Sequence, residues 1–139
     1  FPMEAHADMY FTIWYGIFDP ATRQLAFAAA GHHPAWCCLP GQAPVALGTR
    51  NRMIGTPVAR PFVADVAVLP PAATLYLFSD GVFEIVDHAG RGWQIGDFVA
   101  LLQPGPVAGL SQRLHAIMQR KVPGGRFGDD FALLALHFA

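Results

Sequence analysis

Apolar residues occur along the chain in runs of strand length, and turn residues separate the runs. The first run is YFTIWYGIF at residues 10–18, and the second is LAFAAAG at residues 25–31. Between them Pro20 follows Asp19, a position where a type I turn favours proline, so the two runs predict a β-hairpin. Both runs are almost continuously apolar instead of alternating, which predicts a sheet covered on both faces.

Further apolar segments extend this pattern. Residues 62–69 and 74–78 are joined by Pro70 and Pro71, and we expect them to form another antiparallel pair of neighbours. Residues 41–61 are rich in Gly, Pro, Thr and Asn, which predicts a loop with short strand pieces such as 52–54. The remaining strand candidates are residues 35–39 and 131–138.

Helical periodicity appears only in the second half of the chain. Asp97 could cap a short helix that runs to Leu102. A longer helix is predicted over about residues 108–121, because its apolar residues are spaced i, i+4, i+7 and i+8, as a stripe that packs on a core: Leu110, Leu114, Ile117 and Met118. Strands first and helices later predict an α+β fold built on antiparallel sheet.

Composition limits the class of protein. The chain has 139 residues, of which 53% are hydrophobic and 14% charged, with a net charge of −1. That length fits one domain or most of one, and nothing in the balance of charge suggests electrostatic capture of nucleic acid or of an anionic membrane. The given residues show no signal-peptide pattern, and their longest apolar run is shorter than a membrane span requires. The adjacent Cys37 and Cys38 are expected to be reduced residues of a cytoplasmic protein.

Two acidic features stand where apolar strands begin or end. Asp80 follows the strand in LYLFSDGVFEIVD, residues 75–87, and Asp129 and Asp130 precede the strand in GRFGDDFALLALHF, residues 125–138. If these strands are antiparallel neighbours, the carboxylates meet at one edge of the sheet. They would repel each other unless a divalent cation neutralised them, and oxygen ligands suit Mg²⁺ or Mn²⁺. The alternative is that Asp-Gly forms a turn and Asp-Asp is solvated, and spacing alone does not decide between the two.

Four motifs, in their order along the chain, resemble the SpoIIE-like branch of the PPM/PP2C metal-dependent protein serine/threonine phosphatases. The resemblance covers essentially all 139 residues. Its motifs are the hairpin that leads into Ala30-Gly31-His32-His33-Pro34, the Met53-Ile54-Gly55 element, Ser79-Asp80-Gly81-Val82-Phe83-Glu84 and Asp129-Asp130-Phe131-Ala132.

The resemblance implies an αββα sandwich of antiparallel sheets with metals at one edge. It implies that Asp80 and Asp129 are metal ligands, and that Asp130 and Gly81 either support these ligands from behind or contact the metal themselves. The family mechanism uses two Mn²⁺ or Mg²⁺ ions to activate a water, so no protein nucleophile is required. On the same resemblance, Glu84 would orient the loop after Asp80. The turn of His32 and His33 would be structural.

The sequence departs from the family pattern in two ways. Ser79 and Ala132 stand where relatives carry threonine. An Asp-Gly pair and a Gly-His-Gly element, whose Asp bridges the two metals in the family, have no match in residues 1–60. We therefore expect residues 1–139 to be the C-terminal portion of a phosphatase domain that lacks its N-terminal part, to hold at most part of the metal site and to be inactive alone.

The resemblance also implies a biological role. The substrate would be phosphoserine or phosphothreonine on a regulatory partner, such as an anti-sigma-factor antagonist, in bacterial signalling. An upstream sensor or receiver domain would control the activity, and unpaired sheet edges would favour a homodimer. The alternative is a pseudophosphatase that keeps the fold and serves as a protein-binding adaptor.

Overall fold

Seven strands and two α-helices form within residues 2–57 and 60–139, which are the residues that this computed structural model describes. The strands are β1 (Ile13–Asp19), β2 (Gln24–Ala30), β3 (Ala35–Cys38), β4 (Val45–Leu47), β5 (Asp65–Val68), β6 (Ala73–Phe78) and β7 (Leu133–Phe138). The helices are α1 (Ile95–Val99) and α2 (Leu110–Lys121), and short 3₁₀ turns occupy Met3–Ala5, Asp80–Val82 and Pro123–Gly125.

The chain divides into two compact units, each built around a sheet. The first unit comprises Phe1–Ala35 and Ala46–Pro70 and holds the three-stranded sheet β1-β2-β5. The second comprises Trp36–Val45 and Pro71–Ala139 and holds β6, β7 and both helices. The second sheet has the strand order β4-β3-β6-β7.

The hairpin predicted near the N-terminus is present. β1 pairs antiparallel with β2 from Asp19 opposite Gln24 to Ile13 opposite Ala30. The turn is held by the Asp19 carboxylate, which accepts hydrogen bonds from the backbone N–H of Ala21 at 2.9 Å and from the Thr22 hydroxyl at 2.8 Å. An Asp that bonds to the backbone two residues ahead is a typical turn former.

The expectation that this sheet is covered on both faces is wrong for the described part of the chain. Along β1, half-buried and exposed side chains alternate, and Tyr15 and Ile17 are each 58% exposed. Leu25 and Phe27 of β2 are buried instead. Successive side chains of a strand point to opposite faces. The apolar residues of this run therefore lie on two different faces, one packed and one open to solvent.

The predicted pairing of residues 62–69 with 74–78 is also wrong. β5 pairs with β2, and β6 pairs with β3 and β7, so the two segments belong to different sheets. The favoured two-residue hairpin turns need positive φ at one or both central positions, whereas proline fixes φ near −65°. Pro70 and Pro71 therefore suit a connection between sheets better than a tight hairpin.

The second unit is organised around β6, which lies between β3 and β7. Tyr76 and Thr74 of this strand are fully buried, although both are polar. The Tyr76 hydroxyl donates to the carbonyl of Gln103 at 2.6 Å, and the Thr74 hydroxyl donates to the carbonyl of Gly105 at 3.3 Å. Because each buried hydroxyl has a hydrogen-bond partner, the central strand does not lose stability to an unsatisfied polar group.

Both helices pack on this core, and α2 does so through the apolar stripe that its sequence predicts. Leu114 and Met118 of α2 and Phe98 of α1 are buried in one cluster with Phe78 of β6. Phe98 meets Phe78 edge-on, with ring centroids 4.9 Å apart. The arrangement confirms that the apolar spacing in residues 110–118 marks a packing face.

Asp97 does not cap α1 as expected. The N-cap is Gln94, and Asp97 is the third helical residue, whose carboxylate accepts the backbone N–H of Gln94 at 2.8 Å. This reciprocal arrangement is a capping box. That hydrogen bond is the main reason why the pKa of Asp97 lies below its ordinary value.

The two cysteines are free thiols, as expected, and both are buried. Burial raises the pKa of both thiols, that of Cys38 to about 11. They are therefore protonated near neutral pH and behave as apolar residues of β3. Among the described residues, no helix is both long and apolar enough to cross a membrane.

We predict that Tyr76→Phe lowers the free energy of unfolding by about 1 kcal/mol, because it removes the bond to Gln103 from the centre of the core. Urea denaturation monitored by circular dichroism would measure the change. Tyr15→Phe is the matched control, since Tyr15 is 58% exposed and should change the midpoint very little. Equal effects of the two substitutions would contradict a structural role for the buried hydroxyl.

A second prediction concerns alkaline pH. Burial raises the pKa of Tyr76 to about 12, whereas the pKa of a tyrosine in an unfolded chain is about 10. The stabilising contribution of the neutral phenol is complete below the unfolded pKa and is lost as pH rises through the folded one. The free energy of unfolding should therefore decrease as the pH rises from about 10 to about 12. This part of the pH dependence should be absent in Tyr76→Phe. An unchanged slope in the variant would assign the alkaline loss to other groups.

Candidate metal centre

The two acidic motifs meet at one edge of the second sheet. β6 and β7 are antiparallel neighbours, with Ala73 opposite Phe138 and Phe78 opposite Leu133. Asp80 follows the last residue of β6 by two positions, and Asp129 precedes the first residue of β7 by four. The pairing on which the sequence argument depended is thus present, although it does not by itself make these residues metal ligands.

Ser79 fastens the two motifs together. Its hydroxyl donates to the carbonyl of Asp130 at 2.6 Å and accepts the backbone N–H of Ala132 at 2.9 Å. Its own backbone N–H donates to the carbonyl of Ala132 at 3.0 Å. These three bonds continue the connection between the strands beyond the last residue pair of the ladder.

Gly81 brings the Asp80 loop against the backbone of the other motif. A Cβ atom at this position would lie 2.5 Å from the carbonyl oxygen of Asp130 and 3.1 Å from the carbonyl carbon of Asp129. The φ angle of Gly81 is not among the positive values found in the described residues. The glycine is therefore required for close approach of two backbones, not for an unusual backbone angle.

The carboxylates of Asp80 and Asp129 are exposed and are oriented by their own loops. Asp80 accepts the backbone N–H of Gly81 at 3.0 Å, and Asp129 accepts the backbone N–H of Asp130 at 2.7 Å. Both ion pairs formed within residues 2–57 and 60–139 involve Arg91, with Asp87 and Asp97 as partners. No described basic residue therefore neutralises the charges of Asp80 and Asp129 in an ion pair.

This donor set fits part of the shell of a hard divalent cation. Exposed carboxylate oxygens without a basic partner suit Mg²⁺ or Mn²⁺, which often keep several waters and take only one or two carboxylates. In the described part of the chain, no group of three or more His, Cys, Asp or Glu side chains could hold a metal. Asp80 and Asp129 would thus hold a cation together with water, and their role as ligands remains a prediction.

The other candidate residues contribute little polar chemistry at this edge. Asp130 takes part through its backbone, as the donor to Asp129 and the acceptor from Ser79. Glu84 is exposed, and its backbone N–H closes the turn by donating to the carbonyl of Asp80 at 2.9 Å. Ala132 has no hydroxyl to offer, so the hydroxyl of Ser79 is the one that joins the motifs.

The histidines of the Gly31–Pro34 turn belong to the first unit and contact their own turn. A ring nitrogen of His32 lies 2.8 Å from the carbonyl oxygen of His33, and one of His33 lies 3.1 Å from that of Pro34. The two rings are 4.2 Å apart at their centroids. These contacts agree with a structural turn.

Sequence reasoning missed the bridging role of Ser79 and the steric role of Gly81. Ser79 was noted only as a replacement for threonine, because the partner of a hydroxyl cannot be read from a strand pattern. The Ser-Asp-Gly order after a buried strand was the available signal, but the contact with Asp130 is distant in sequence.

Comparison with solved structures finds similar folds at low identity. The SiaA-PP2C domain of Pseudomonas aeruginosa has a TM-score of 0.72 and 25% identity, and the match covers 85% of this chain and 48% of that chain. The Mn-presoaked phosphatase domain of the cell fate determinant SpoIIE from Bacillus subtilis has a TM-score of 0.66 and 19% identity, with 91% and 56% covered. The RsbU and RsbW domains of Rv1364c from Mycobacterium tuberculosis give 0.67 and 18%, with 89% and 35% covered.

These matches confirm the predicted fold class, which is a PP2C-like α+β fold with antiparallel sheets. The chain spans 35% to 56% of the length of these three structures. A search of the curated proteins returns no match for this sequence. The sequence model of the family described as Stage II sporulation protein E (SpoIIE) matches residues 2–139, nearly the whole chain. The protein therefore belongs to the SpoIIE family.

Proposed function

We propose that this chain forms the metal-binding edge of a PPM-type protein serine/threonine phosphatase. The observation that carries the proposal is the placement of Asp80 and Asp129 at one end of paired strands, locked by Ser79, without a basic partner among the described residues. Membership of the SpoIIE family and the PP2C-like fold support the same assignment.

The residues of this chain would serve to hold and orient the cation. Mn²⁺ or Mg²⁺, when bound, would polarise a phosphate and lower the pKa of a water. Asp80 and Asp129 would supply oxygen ligands, and the N–H groups of Gly81 and Asp130 would keep one oxygen of each carboxylate in place. The remaining positions would be filled by water and by parts of a complete domain that this chain does not span.

The substrate class follows from the family resemblance. We propose phosphoserine or phosphothreonine on a regulatory protein of the anti-sigma-factor-antagonist type, in the bacterial cytoplasm. Control by a sensor or receiver domain is part of the same proposal. With at most part of the metal site, residues 1–139 should not hydrolyse phosphopeptides at a measurable rate.

We predict that this chain binds Mn²⁺ weakly and that Asp80→Asn or Asp129→Asn weakens binding at least about tenfold, since each removes a charged ligand. The fraction of free Mn²⁺, measured by electron paramagnetic resonance during a titration, would report binding even when it is weak. The Mn-presoaked phosphatase domain of B. subtilis SpoIIE is a reference for the assay.

Asp65→Asn is the matched control for this titration. Asp65 is exposed, and its carboxylate accepts the backbone N–H of the next residue at 2.8 Å, as those of Asp80 and Asp129 do, but it lies in the first unit. If Asp65→Asn lowers Mn²⁺ binding as much as Asp80→Asn, the two predicted ligands are not special. If the wild-type chain does not bind Mn²⁺ at all, the result would favour the alternative function as a protein-binding adaptor. The absence of a hydroxyl at Ala132 also favours that alternative.

We further predict that Gly81→Ala lowers the free energy of unfolding by about 1–3 kcal/mol, because the new methyl group would overlap the carbonyl of Asp130. The same displacement should weaken Mn²⁺ binding. Gly128→Ala is the control, since it precedes Asp129 directly, its φ is not positive, and its added Cβ would meet nothing within 4 Å. Equal stability of the two variants would contradict the close approach at Gly81.

A further inference from the structure

A groove in the first unit gathers three of the nine basic residues of the chain. It encloses about 690 Å³, a volume typical of ligand sites. Its lining combines cationic and apolar side chains, and we call it the arginine groove: Arg50, Asn51, Arg52, Arg60, Pro61, Phe62 and Val63.

The arginines of the groove form no ion pair with any described acidic residue. Both ion pairs in residues 2–57 and 60–139 use Arg91, in the other unit. Along the sequence, no Asp or Glu occurs between Asp19 and Asp65. Cations of one sign lining one concave surface create a field that attracts anions.

Arg52 is held in a position that leaves part of its guanidinium unsatisfied. One terminal nitrogen donates to the carbonyl of Arg60 at 3.2 Å, and the group lies over the ring of Phe62, 5.6 Å from its centroid. The other terminal nitrogen is buried and has no hydrogen-bond partner among the described residues. A buried donor on a charged group is costly unless an acceptor completes it.

The wall of the groove is fixed to the hairpin through Asn51. Its side-chain carbonyl accepts the backbone N–H of Val63 at 2.8 Å, and its amide donates to the carbonyl oxygens of Val63 at 2.8 Å and Ala29 at 3.0 Å. Ala29 lies in β2 and is buried. This wall of the groove is therefore fixed before a ligand binds, which lowers the entropic cost of binding.

Apolar side chains beside the arginines distinguish the groove from a simple phosphate site. Phe62 is 49% exposed and Val63 is 62% exposed, so both present apolar surface to solvent. A free inorganic anion would leave this surface wet. A peptide with carboxylates on either side of an apolar residue would use the arginines and cover the apolar surface together.

We propose that the arginine groove binds an acidic peptide segment of a partner protein, through carboxylates on Arg50, Arg52 and Arg60 and an apolar side chain on Phe62 and Val63. This binding goes beyond the proposed phosphatase function and requires no metal. It can therefore succeed or fail independently of the metal centre.

Fluorescence polarisation with labelled peptides tests the proposal, in the presence of a chelator so that divalent metal plays no part. The probe has the sequence Asp-Glu-Leu-Asp-Glu, and the comparison peptides are its neutral Asn-Gln-Leu-Asn-Gln counterpart and a form with Ser in place of Leu. The acidic probe should bind and the neutral peptide should not. Raising salt from about 50 mM to about 500 mM should weaken the complex, because exposed charge pairs are screened.

Substitutions then locate the site. Arg50→Gln and Arg60→Gln, at exposed positions, should each weaken the acidic probe about two- to fivefold, as expected for exposed ion pairs. Arg126→Gln, an exposed arginine of the other unit, is the matched control and should leave affinity unchanged. The Leu-to-Ser change should cost affinity in the wild-type chain but little in Phe62→Ala.

Three results would overturn the proposal. The neutral peptide could bind as well as the acidic one, which would remove the role of charge. The Arg50→Gln and Arg60→Gln chains, with unchanged circular dichroism, could bind like wild type, which would place the acidic peptide elsewhere. A peptide whose only anion is one phosphoserine could bind while the acidic probe does not, which would make the groove a phosphoryl site.

Discussion

The pairing of β6 with β7 is the constraint on which the candidate metal centre depends. The side chains of Asp80 and Asp129 are exposed, so their own burial does not hold them at this edge. Loops alone would let the two motifs separate. The ladder from Ala73 to Phe78, continued by the three bonds of Ser79, keeps the backbones of the two motifs together.

The rigidity of this edge comes from the strand behind it. β6 is buried along most of its length, and its polar members Thr74 and Tyr76 bond to carbonyls of residues 103–105. Phe78, the last residue before the loop, packs on Phe98 of α1. A close-packed support of this kind resists displacement, so an exposed loop can be kept in one position by a core that carries no charge.

The sequence predicted the parts of this arrangement that local patterns determine. The hairpin and α2, with its Leu114 and Met118 stripe, follow from periodicity and turn chemistry. The pairing of the strands at the two acidic motifs was a condition of the sequence argument, and the structure supplies it. The partner of β5 and the open face of β1 did not follow from such patterns, because apolar content does not state which sheet or layer will cover a strand. Ser79 and Gly81 act through contacts about fifty residues away, which a linear pattern cannot show.

Although the net charge is only −1, negative charges are grouped at one place in the structure and positive charges at another. The acidic pair lies in the second unit without a basic partner, and the arginine groove lies in the first without an acidic one, within the described residues. Arg50, Arg52 and Arg60 form no ion pair within residues 2–57 and 60–139. Charges that a chain leaves uncompensated remain available for external ions and partners, so near-neutral net charge says nothing against electrostatic recognition at a single surface.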